Sequence, residues 1–126
     1  NERAFAALKE AGEVVTWGLD CHGGDCRDVA GRLAAGVTSI VGTELAFAAL
    51  KGAGDVVTWG AAGSGGDCSA VADRLAAGVV SVTGNAYAFA ALTDAGEVVT
   101  WGDAGTGGDS SVVADLLAAG VTCITG

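Results

Sequence analysis

Two residue types are missing from this chain of 126 residues, which contains no proline and no methionine. Without proline, every sharp turn must be made by its 22 glycines or by Asn and Asp. Because methionine is absent even at position 1, we expect the chain to be a processed piece or an excerpt of a longer protein.

Basic residues and long apolar runs are also scarce. Six basic residues stand against 15 acidic ones, which gives a net charge of -9. This charge repels nucleic acid and anionic membranes, so we expect neither as a partner. No apolar run approaches the roughly 18 residues of a membrane span, so we expect no membrane insertion. The 51% hydrophobic content nevertheless predicts a packed core.

The chain consists of one unit present three times. The stretch AFAALKEAGEVVTWG at 4–18 returns with few changes at 46–60 and 88–102. The offset of 42 residues divides the chain into copies at 1–42, 43–84 and 85–126, and 23 of the 42 positions are identical in all three. A fixed period of this length is typical of solenoids, propellers and arrays. We therefore predict one continuous repeat domain.

Each copy is predicted to begin with a β-hairpin. In the first copy the runs Ala4–Leu8 and Val14–Trp17 have strand composition, and a glycine-containing link of hairpin length joins them. Neither face of this hairpin is polar, so neighbouring copies are expected to cover both faces. One phenylalanine and one tryptophan per hairpin are predicted core residues, a role more usual for such aromatics than sugar stacking. These core residues are Phe5, Trp17, Phe47, Trp59, Phe89 and Trp101.

A short helix and a third strand are predicted to follow each hairpin. Apolar spacing and a closing glycine indicate a helix from Cys26 to Ala35. The helix caps are predicted at Asp25, Asp67 and Asp109. The third strands are predicted at Val37–Val41, Val79–Thr83 and Val121–Thr125. The fold class is therefore mainly β, built from a strand, strand, helix, strand unit.

This order of a V-x-x-I/V-x-G strand, AFAAL, a turn and VVTWG resembles the repeat of the regulator of chromosome condensation family. It is also similar to the short-blade bacterial propellers that inhibit β-lactamases. The most diagnostic pairs are Trp17-Gly18, Trp59-Gly60 and Trp101-Gly102. The chain departs from the family at Gly23 to Asp25, where GGD replaces a Gly-Gln-Leu-Gly type loop. The resemblance implies propeller-blade-like repeats and transfers no functional residue.

Three such units are too few to close a propeller, which uses about four to eight blades. Either several chains complete a ring, or the copies stack as an open array. Neither the first nor the last copy has a polar capping face, so the ends are expected to meet further copies of the chain itself.

Four cysteines, Cys21, Cys26, Cys68 and Cys123, favour an oxidising compartment and hence an extracellular or cell-surface location. Our hypothesis is one disulfide between Cys21 and Cys26 and another between Cys68 and Cys123. A zinc site at Cys21, His22, Asp25 and Cys26 is the less favoured alternative, because the spacing is loose and the other copies replace Cys21 and His22.

No catalytic or cofactor-binding constellation emerges from the sequence. The Asp series could bind calcium through loop carbonyls, but capping explains each isolated Asp more simply. His22 is the only histidine, and no nucleophile recurs beside a base. We therefore expect a structural protein that forms an extracellular array or filament, and not an enzyme. The alternative is a protein-binding propeller completed by oligomerisation, with its binding surface at positions 1–3 and 19–22 of each copy.

Overall fold

The computed structural model describes residues 1–126 and confirms the mainly β class. It contains eight strands in three small antiparallel sheets, with short helical turns between them. The strands are β1 Ala4–Leu8, β2 Val14–Gly18, β3 Val37–Gly42, β4 Ala46–Lys51, β5 Val56–Gly60, β6 Val79–Gly84, β7 Ala88–Thr93 and β8 Val98–Gly102.

The sheets are offset from the copies of the sequence. The first sheet has only β1 and β2, whereas the other two have the orders β3-β4-β5 and β6-β7-β8. The hairpin of one copy is thus joined by the last strand of the copy before it. This arrangement hydrogen-bonds consecutive copies to each other through their backbones.

All three hairpins share one register, in which the phenylalanine of the first strand lies opposite the tryptophan of the second. In the first hairpin the Lys9 backbone N–H donates to the Glu13 carbonyl at 2.8 Å and the Gly12 N–H donates to the Lys9 carbonyl at 2.9 Å. Gly12 has φ +83°, and a Cβ there would lie 2.6 Å from the backbone nitrogen of Gly36. Only glycine therefore suits this turn.

The predicted helix is shorter than expected and largely of the 3-10 type. The first copy has a 3-10 turn at Arg27–Val29 and one α-helical turn, α1, at Ala30–Leu33. The corresponding segment Ser69–Leu75 is 3-10, and Ser111–Leu116 is 3-10 with a kink at Val113, where φ is -120°. So short a segment gains little from α-helical hydrogen bonding, and the tighter 3-10 turn is common in such connectors. None of the helical segments has the length and apolar character needed to span a bilayer.

The prediction of a third strand at Val121–Thr125 is wrong for this chain. The equivalent segments β3 and β6 are strands because β4 and β7 pair with them. Residues 121–126 pair with no strand in the structure, and no strand is formed there. Its Val121 N–H donates to the Gly96 carbonyl at 3.0 Å, which holds the start of the segment in place.

The core lies between consecutive sheets, in two clusters. The central hairpin contributes to both, since Phe47 and Ala49 of β4 face the first copy while Ala48 and Leu50 face the third. As a result β4 is buried from Ala46 through Leu50. Burial on both faces explains why this strand lacks the polar alternation of a solvent-facing sheet.

The structure contains neither of the predicted disulfides, since all four cysteines are free. The Cys21 sulfur is exposed and lies 3.1 Å from His22 Nδ1, whereas Cys26 packs against the cluster around Leu33. Cys68 packs in the same way against the second cluster, while Cys123 is exposed.

Candidate assembly interface

The contact between consecutive copies is built around a tryptophan and a glycine. The Trp59 indole Nε1–H donates to the Gly23 carbonyl, and the Trp101 Nε1–H donates to the Gly65 carbonyl, both at 3.1 Å. Gly23 has φ +97°, and a Cβ there would lie 2.6 Å from the Phe47 ring. Glycine therefore permits both the backbone conformation and the close approach of the aromatic pair.

The first hairpin presents the same side chains with nothing over them. We call Phe5, Ala7, Val15 and Trp17 the aromatic face. Phe5 is 62% and Trp17 51% exposed, whereas Phe47 and Trp59 are 5% exposed. The predicted core residues Phe5 and Trp17 are therefore outside the two core clusters, because no segment of the structure packs over them.

The exposed aromatic pair has the geometry of the covered pairs. The ring centroids of Phe5 and Trp17 are 5.4 Å apart with an interplanar angle of 19°. The pairs of the second and third hairpins have the same separation, with angles of 25° and 26°. The aromatic pair therefore keeps this geometry where no hairpin covers it.

The opposite end of the molecule has an uncovered apolar groove of about 470 Å³. Its lining includes Ala90, Val98, Val113, Leu117, Val121 and Ile124. The residues at the same places in the first two copies form the walls against which the next aromatic pair packs. Leu33 and Leu75 are almost fully buried there, while Leu117 is half-buried.

Gly107 completes this groove. It occupies the place of Gly23 and Gly65 and has φ +103°, close to their +97° and +96°. Gly23 and Gly65 are buried beneath an aromatic pair, while Gly107 is exposed. The aromatic face and the groove are therefore the two halves of the contact that the chain forms twice internally.

Each internal contact also has an ion pair that sequence reasoning missed. Arg32 Nη2 lies 3.4 Å from Asp55 Oδ2 and donates to the Val56 carbonyl at 3.3 Å. Arg74 pairs with Glu97 and the following carbonyl in the same way. The sequence does contain a signal for these ion pairs, because an arginine is followed 23 residues later by an acidic residue in both cases. The third copy has Leu116, which is exposed, in place of the arginine.

The three predicted capping aspartates lie one residue before the N-cap positions, which are Cys26, Cys68 and Ser110. Each aspartate still accepts a backbone N–H at the start of a 3-10 segment. Asp25 Oδ1 accepts the Arg27 backbone N–H at 2.9 Å, and Asp67 and Asp109 accept those of Ser69 and Ser111 at 2.8 and 2.9 Å. The side-chain contact with Arg27 lowers the pKa of Asp25. The backbone bond from Ser69 lowers the pKa of Asp67, and the side-chain contact with Ser111 lowers that of Asp109.

No group of three or more His, Cys, Asp and Glu side chains is placed to hold a metal ion. A second cavity, of about 490 Å³, opens beside Trp59 and is lined by Asp25, Arg27 and Asp28 among others. Its Asp25 carboxylate is already paired with Arg27. The one side chain within hydrogen-bonding distance of the His22 ring is that of Cys21.

No protein-family model matches the chain, and no curated protein matches its sequence. Among solved structures, human WBSCR16 superposes with a TM-score of 0.57 at 20% identity, covering 79% of this chain and 31% of that chain. The similarity shows the fold alone. The C-terminal domain of gp131 from bacteriophage phiKZ superposes with a TM-score of 0.49 at 11% identity, covering 94% of this chain and 32% of that domain. The chain thus spans about a third of the length of each.

Proposed function

We propose that this is a structural, self-assembling repeat protein whose molecules join end to end in a filament or array. The observation that supports the proposal is the complementarity of the two ends. The aromatic face and the groove are the same two surfaces that meet inside the chain around Trp59 and Trp101. Exposed apolar patches of this kind mark interaction sites.

The charge distribution disfavours joining the third copies of two molecules. Four of the six basic residues lie in the first copy, which has six acidic residues, and none lies in the third, which has five acidic residues. Head-to-tail contact is therefore less repulsive than tail-to-tail contact, which would oppose the two copies with the highest net negative charge. A heterologous contact of this kind gives open filaments unless its rotation closes a ring.

Analytical ultracentrifugation of the chain over a range of concentrations tests the proposal. We expect species heavier than the 12.1 kDa chain to grow with concentration, and negative-stain images to show rods. Trp17→Ala should abolish these species, because it removes the indole from the aromatic face. Val80→Ala is the matched control, since Val80 is also exposed but lies outside both surfaces. A chain that stays monomeric at every concentration would contradict the proposal.

A protein-binding propeller completed by oligomerisation is the second candidate. It is favoured by the contact between the two most variable segments of each copy. The Asn1 side-chain amide donates to the His22 carbonyl at 2.7 Å, and the Asn85 amide donates to the Thr106 carbonyl at 2.6 Å. Variable residues grouped on a constant scaffold are typical of binding surfaces. Closed discs of six or more blades, with a mass fixed at a small multiple of the chain, would favour this candidate over the filament.

A further inference from the structure

We propose that residues 121–126 of one molecule add to β1 of the next as the third strand of its incomplete sheet. The inference rests on the proposed end-to-end assembly and specifies the joint. The first sheet has two strands, whereas the others have a third strand from the preceding copy. The free β1 edge therefore lacks the one element that every other hairpin receives.

The acceptor edge is identical in sequence to one that already accepts a strand. Residues 4–9 read AFAALK, as do residues 46–51, and the latter pair with β3. The donor segment VTCITG has the pattern of VTSIVG in β3 and VVSVTG in β6. Donor and acceptor thus both match a pairing that the chain forms internally.

The internal pairings fix the register of the proposed joint. Ser39 lies opposite Leu50, and Ser81 lies opposite Leu92. The residues at the same places in the ends are Cys123 and Leu8, so the joint places Cys123 of one molecule opposite Leu8 of the next. In the same register Gly126 lies opposite Phe5, and Val121 lies opposite Lys9 across the one-residue register shift that both internal pairings have at this point.

The joint also provides the missing backbone and indole contacts. In the two internal contacts, the Gly52 N–H donates to the Gly36 carbonyl at 2.9 Å and the Asp94 N–H donates to the Gly78 carbonyl at 2.8 Å. The corresponding groups at the ends are the Glu10 N–H and the Gly120 carbonyl. With strand addition, the Trp17 indole reaches the Gly107 carbonyl, as Trp59 and Trp101 reach theirs. Main-chain pairing gives affinity while the aromatic pair gives specificity.

Disulfide trapping tests this register. Opposed residues of an antiparallel pair have Cα atoms about 4.5–5.5 Å apart, within disulfide range. We expect Leu8→Cys, made together with Cys21→Ser, to form oxidised ladders linked between position 8 and Cys123, as identified by peptide mass spectrometry. Lys9→Cys in the same background is the control for a one-residue slip, which would turn the side chain to the other face. Ladders from the control in place of the Leu8 variant would overturn the proposal.

Hydrogen exchange of the unmodified chain is a second test that no substitution can disturb. We expect amides of Ala4–Leu8 and of residues 121–126 to become protected together as concentration rises. Assembly without this protection and without the disulfide would overturn strand addition while leaving end-to-end assembly standing. Absence of any assembly would instead overturn the proposed function on which the joint rests.

Discussion

The tryptophans in this protein are buried where the indole N–H donates to the carbonyl of a glycine in the preceding copy, and exposed where that glycine is missing. Trp59 and Trp101 each donate to a carbonyl of a glycine with φ near +97°, and each stacks on a phenylalanine. Trp17 has the same stacking partner but no glycine from a preceding copy. The chain therefore contains a buried and an exposed tryptophan in the same local sequence. The contribution of each to the free energy of unfolding can be compared directly.

Trp59→Ala should lower the free energy of unfolding by about 3–5 kcal/mol, because it empties a closed site in the core. Trp17→Ala should change it little at concentrations where the chain is monomeric, because half of that side chain is already in water. Urea unfolding of the two variants at high dilution measures both effects. Equal losses for the two variants would show that burial by the neighbouring copy does not stabilise Trp59.

The three aspartates at the 3-10 segments should make stability depend on pH. Their pKa values are lowered in the folded chain, so their contribution is present above the unfolded carboxyl pKa of about 3.9 and is lost as pH falls through the folded value. We compare the chain with the triple variant Asp25→Asn, Asp67→Asn and Asp109→Asn by thermal unfolding. The melting temperatures should differ near neutral pH and converge in acid. A difference that persists unchanged in acid would contradict this interpretation.

At the scale of the element, one strand serves two copies. β3 belongs to the first copy by sequence and to the second sheet by hydrogen bonding, and β6 bridges the second copy and third sheet in the same way. A copy therefore cannot complete its sheet alone. Because of this offset, the first sheet has two strands and residues 121–126 have no strand to pair with. Both features follow from backbone pairing and not from any side chain.

The joint between molecules should be weaker than the internal contacts in one respect. Leu116 stands where Arg32 and Arg74 pair with an acid of the next copy, so Glu13 of the next molecule would meet no cation from it. Leu116→Arg should tighten assembly by about 0.2–1 kcal/mol, the usual range for an exposed pair. The gain should shrink as salt is added.

Sedimentation equilibrium of Leu116→Arg measures this gain, with Glu13→Gln in the same chain as the control. The control removes the carboxylate that the new guanidinium would reach, and also the partner of Lys9. We expect Leu116→Arg to have no effect in the Glu13→Gln background. An equal gain in both backgrounds would show that the arginine acts elsewhere.

The strands and turns of each hairpin could be predicted from local sequence, because β-branched and aromatic runs separated by a glycine link specify a hairpin by themselves. The 3-10 character of the helical segment could not, since apolar spacing over ten residues does not distinguish a tight turn from an α-turn. The loss of strand structure at 121–125 and the exposure of Phe5 and Trp17 depend on which copies are present beside them. The hairpins are identical at the aromatic positions, and residues 121–125 have the same apolar pattern as β3 and β6, so local sequence carries no signal for these differences.

At the scale of the whole molecule, the main contacts between elements lie within a copy or between consecutive copies. Stability is therefore expected to grow as a sum of similar contacts. In the proposed assembly, adding a molecule at either end would repeat the contact that joins the copies inside the chain. Whether the proposed assembly closes into a ring or continues as a filament depends on the rotation between copies. A ring would have one fixed mass, whereas a filament would have a broad distribution of masses. The net charge of -9 opposes growth, so screening by salt should favour longer assemblies.

The half-exposed Trp17 makes the intrinsic fluorescence of the protein sensitive to contact at the aromatic face. Of its three indoles, two are shielded from water and one is not, and the emission of an indole shifts to shorter wavelength when water leaves its surroundings. Joining of molecules at the aromatic face would change the surroundings of Trp17 and leave those of Trp59 and Trp101 as they are. The unlabelled chain can therefore report the kinetics of its own assembly through its intrinsic fluorescence.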